Sequence, residues 1–148
     1  MEKLTLQQVF NTIWSNVATG KMNTQNRDGN DNNCLSYEHL PFGCFIGLLL
    51  SEDLAERLQE ETITRKIYSI TSIFENSKSS KVFQEVVSIL SNASIAHLQS
   101  LQNIHDGTNP NNWNRALRSF ANVYGLTVPN MDTEEWKNNV DKLMDKFF

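Results

Sequence analysis

Any chemistry in this chain must come from a small set of side chains. Cys34 and Cys44 are separated by nine residues, with Tyr37 and His39 between them. Far downstream, His105 and Asp106 stand side by side in the string Leu-Gln-Asn-Ile-His-Asp. Three chemistries use these residue types. A tetrahedral zinc site takes four Cys or His ligands, commonly with one closely spaced pair. The chain has no Cys-x-x-Cys and no His-Glu-x-x-His, and His105 is remote from both cysteines. The structural alternative is stronger: a free cysteine is a small buried apolar group, and a histidine late in a helix meets the helix dipole favourably. A reversible disulfide requires Cys34 and Cys44 to face each other across a tight hairpin with their Cα atoms in bonding range. Two small side chains filling a packed site are preferred to that, because a reducing compartment is expected. A cysteine nucleophile with His105 as base and Asp106 as orienter would need all three within hydrogen-bond reach, beside an oxyanion site. Adjacent residues in a helix point about 100° apart, and Asp106 serves equally well to close the helix end. No catalytic, cofactor or metal assignment follows. Tyr37, Cys34, Cys44, His105 and Asp106 are the functional candidates to test.

The elements that would position these groups can be read from the rest of the chain. Its 148 residues suffice for one domain with a substantial core. Hydrophobic residues make up 39% and the net charge is -4. Phosphate neutralisation needs clustered Lys and Arg, whereas Arg57, Arg65, Lys66, Lys78 and Lys81 are interleaved with Glu56, Glu60, Glu61, Glu75 and Glu85. That pattern describes a solvated face and argues against nucleic acid as a partner. The apolar run at 40–50 is broken by Pro41, Gly43 and Gly47 and is too short to span a bilayer. The first ten residues lack a secretory h-region. The expected setting is soluble and cytoplasmic, away from membranes.

Helical spacing recurs along the chain. Thr5 as N-cap and Gln8 at N3 open a helix over 5–18 with Leu6, Val9, Phe10, Ile13 and Val17 on one face. Residues 21–33, KMNTQNRDGNDNN, read as a polar surface loop. As a calcium loop starting at Asp28 they fail, because the glycine position falls on Asn33 and the bidentate glutamate position on His39. The stretch 34–58 is the expected nucleus. It has room for a short extended hairpin near Cys34 to Cys44, an apolar run with small residues for close approach, and Ser51 as the N-cap of the next helix. Residues 62–78 are rich in β-branched side chains, although Ile63, Ile67, Ile70 and Phe74 also fit a helical stripe, and an irregular or partly helical structure is expected. A helix from Ser79 or Ser80 carries Val82, Phe83, Val86, Val87 and Leu90, and Asn92 is the expected cap of the next, which uses Ile95, Leu98, Leu101 and His105. Asn109-Pro110 should start a further helix with Trp113, Ala116, Leu117, Phe120, Ala121 and Tyr124 inward and Gly125 at its end. Asp132 and Glu135 form the capping box of a last helix carrying Trp136.

One part of this pattern is familiar. Cys34-x-x-Tyr37, then Gly43, Cys44, Ile46, Gly47 and Leu49, then Leu101, Gln102, His105 and Asp106, then Trp113 resemble a family of uncharacterised phage and bacterial proteins. The likeness covers roughly 34–124. The chain departs from the pattern at Phe45, where the family has Ala, and at Ser51, where it often has Pro. The resemblance implies a shared fold and a prokaryotic or phage source, and it implies no activity. The combined expectation is an all-α, single compact domain spanning 1–148, with about five to seven helices. Its expected role is to bind or regulate an unidentified protein partner without a cofactor, with the apolar Phe147-Phe148 end either docked on the body or joining a homodimer. The alternative is a small hydrolase or metal-dependent enzyme using Cys34 or Cys44 with His105 and Asp106.

Overall fold

Four serines start four successive helices by one mechanism. The side-chain oxygens of Ser51, Ser69, Ser80 and Ser94 accept from the backbone N–H groups of Leu54, Ser72, Phe83 and His97 at 3.2, 3.1, 3.2 and 3.1 Å. Each satisfies a donor that a helix start otherwise leaves without a partner, an effect of about 1 kcal/mol per cap. The computed structural model describes residues 3–18, 45, 47–67, 69–108, 112–129 and 133–147, and all regular elements among them are helical. In chain order they are α1 (Leu6–Ala18), a 3-10 turn (Gly47–Leu49), α2 (Glu52–Arg65), α3 (Ile70–Glu75), a second 3-10 turn (Ser77–Ser79), α4 (Lys81–Leu90), α5 (Ile95–Gly107), α6 (Trp113–Tyr124) and α7 (Thr133–Phe147). The molecule is an all-α single compact domain. The expected polar loop at 21–33 and the expected hairpin near Cys34 to Cys44 lie outside the described residues.

Helix α1 begins with the expected capping box: the Thr5 N–H donates to Gln8 Oε1 at 2.9 Å, and the Gln8 N–H donates to Thr5 Oγ1 at 3.1 Å. Two helices close on a left-handed residue followed by a six-to-one backbone bond, with different residues at the turn. At the end of α6, Gly125 takes φ 68° and the Leu126 N–H donates to the Ala121 carbonyl at 2.8 Å. At the end of α2, Lys66 takes φ 57° and the Ile67 N–H donates to the Thr62 carbonyl at 3.1 Å. Lys66 has a Cβ and so bears the strain that glycine avoids. This reversal separates α2 from α3, so 62–78 is partly helical, as expected. Ile63 is left 49% exposed, while Ile70 and Ile73 of the new helix α3 are buried. One helix start differs from expectation. Ser94, not Asn92, caps α5, because Ser91 to Ala93 form the turn between the helices. Helix α6 is described from Trp113, and the expected start at Asn109-Pro110 lies outside the described residues.

The core is a single connected cluster. Helix α1 contributes Val9, Phe10, Ile13, Trp14 and Val17, all essentially inaccessible. It packs against α7 and the Gly47–Leu49 turn; α2 lies on α4, α3 on α4 and α5, and α5 on α6. Phe45 and Leu50, which flank the first 3-10 turn, are buried, as is Gly47. Each large apolar side chain so buried stabilises the fold by about 1.5–3 kcal/mol.

Polar ties fix both ends of α1. The Leu4 N–H donates to the Ile89 carbonyl at 2.8 Å, joining the start of α1 to the end of α4. The Gln7 amide takes both backbone groups of Thr127: Nε2 donates to the carbonyl at 2.8 Å and Oε1 accepts from the N–H at 2.9 Å. At the other end, Asn139 Nδ2 of α7 donates to the Ala18 carbonyl. On the surface, Arg57 bridges Asp53 at 3.0 Å and Glu85 at 2.5 Å, and these hydrogen bonds, Glu85 first, raise its pKa above the ordinary guanidinium value. Arg65 pairs with Glu61 and donates to the Ser79 carbonyl at 2.8 Å. These pairs fit the solvated, mixed-charge face read from the sequence, where ion pairs add little net stability.

Candidate functional site

The last turn of α5 brings the chemistry-bearing string to the core. Leu101 and His105, at i and i+4, share one helix face, Gln102 stands about 100° round from Leu101, and all three are buried. His105 is 5% exposed. Its ring stacks on Trp113 of α6, with centroids 5.6 Å apart and planes 25° apart. Phe45 meets it edge-on at 5.2 Å and meets Trp113 at 5.1 Å. Three rings from three separate stretches of chain thus close on one another.

Trp113 also carries the polar closure of this corner. Its Nε1–H is shared between the carbonyls of Ile104, at 3.1 Å, and Thr108, at 3.0 Å. The final carbonyls of a helix have no partner within it, so an indole from the next helix satisfies one end of α5 while its ring covers His105. The Thr108 N–H donates to the Ile104 carbonyl at 3.2 Å and tightens the same end.

His105 lies in a packed aromatic corner. Asp106 lies in α5, and its side chain is outside the described residues, as are Cys34, Tyr37 and Cys44 and the expected cysteine hairpin. Phe45, which follows Cys44 in the sequence, is brought against His105. A general base must reach the proton it abstracts, and an imidazole with Trp113 on one face, Phe45 against it and 5% exposure offers almost no ring surface to an incoming group. Among the described residues, no group of three or more His, Cys, Asp and Glu side chains is placed to hold a metal ion.

Sequence reasoning passed over two participants. Phe45 stood out only as a departure from the resembled pattern, although a large ring in a run of small residues signals that something must receive it. His97 carried no signal. It is half-buried on α5, and its ring lies edge-on to Tyr124 at 4.3 Å and to Phe120 at 6.4 Å, contacts that depend on how α5 and α6 cross. Tyr124, expected inward, is 39% exposed beside Val123 at 70%. No described helix is long and apolar enough to cross a membrane. No protein-family model, curated protein or solved structure matches the chain.

Proposed function

We propose that the chain is a non-enzymatic accessory protein of phage or bacterial origin that binds or regulates a protein partner. What supports this reading is the burial of His105 between Phe45 and Trp113, which leaves little of the imidazole open to an incoming group. The net charge of -4 favours a protein over a nucleic acid as partner. The phage or bacterial source rests on the resemblance over 34–124. In-cell cross-linking of the full chain followed by mass spectrometry tests the reading. A defined protein should be recovered, and iodoacetamide labelling of the thiols should follow an ordinary thiol pH profile, unchanged in His105→Gln. A chain that cross-links to nothing, with a thiol reactive at low pH only while His105 is present, overturns it.

A second reading is favoured by one contact. Phe45 follows Cys44 and touches His105 at 5.2 Å, so a hydrolase or metal-dependent enzyme built on Cys44 or Cys34 with His105 and Asp106 is the competing proposal. It predicts either the His105-dependent thiol reactivity just described or near-stoichiometric metal after metal-replete expression. Elemental analysis that finds no metal, together with an unperturbed thiol profile, removes it.

A further inference from the structure

We draw no further inference here: the strongest candidate, the exposed apolar pair Val123 and Tyr124 beside His97 at the C-terminal end of α6, carries nothing because nothing in the structure shows what covers it.

Discussion

Two aromatic clusters hold the described parts of this molecule together, and α6 supplies a ring to each. The first joins α1, α6 and α7: Phe10 stacks with Trp14 at 5.8 Å and with Phe120 at 6.2 Å, and Trp14 meets Trp136 at 4.5 Å. The second is the Phe45–His105–Trp113 corner at the end of α5. Trp113 and Phe120 are seven residues apart on the same helix, about two turns, and so face the same side. The clusters differ in how they treat polarity. Trp113 spends its Nε1–H on two carbonyls, whereas the buried Trp14 Nε1 has no hydrogen-bond partner among the described residues. Arg118 lies over the Trp14 ring at 5.1 Å and offers that indole an outer electrostatic contact instead. The first cluster is therefore built mainly on ring burial between distant parts of the chain. The second combines ring burial with closure of a helix end.

Truncation should strike the first cluster hardest. Trp14→Ala removes an indole that is 1% exposed and leaves Phe10 and Trp136 facing a cavity. A loss of about 3–5 kcal/mol is expected in urea unfolding; a loss below about 1 kcal/mol would mean that this cluster is not the tertiary closure described. His105→Ala should lose about 2–4 kcal/mol by the same measure, because the imidazole is packed as a core group. If stability is instead kept, the corner is loose enough for His105 to serve another purpose, and the enzyme reading gains.

The sharpest comparison uses matched substitutions. Trp14→Phe and Trp113→Phe remove similar ring volume, but only the second removes a paired donor. Trp113→Phe should be the more destabilising by about 1 kcal/mol, the net worth of an ordinary hydrogen bond. Equal losses would break the distinction between the clusters. Ser94→Ala deletes the cap of α5 and should cost about 1 kcal/mol, with hydrogen exchange rising along α5 more than along α1. The smallest effect belongs to Arg118→Ala, about 0.5 kcal/mol from an exposed cation over a ring. It should shrink when Trp14 is already alanine, leaving only the Arg118 Nε donation to Asn114 Oδ1 at 2.8 Å, which a double-mutant cycle would reveal.

Local signals in the sequence carried much of the helix pattern. The Thr5–Gln8 capping box, the serine cap at Ser51 and the glycine stop at Gly125 all depend on residues within a few positions of each other, so a linear reading can find them. The inner face of α1 was equally legible, because 3.6-residue periodicity sorts Val9, Phe10, Ile13 and Val17 to one side. Legibility failed where neighbours competed. Asn92 and Ser94 are both good caps, and the turn at Ser91 to Ala93 selects the later one. Residues 62–78 are partly helical, as expected, but the position of the break at left-handed Lys66 is one that lysine does not advertise.

The candidate site divides in the same way. Sequence alone placed His105 on one helix and Trp113 on the next, because helical spacing and the Asn-Pro pair are local marks. Only the tertiary structure decided that His105 is covered by Trp113 and met by Phe45, since those contacts span up to 68 positions and depend on how the helices cross. Periodicity specifies which side of a helix turns inward. It does not specify which residues of another helix it meets there, and that second choice gave the one buried histidine of this corner its aromatic surroundings.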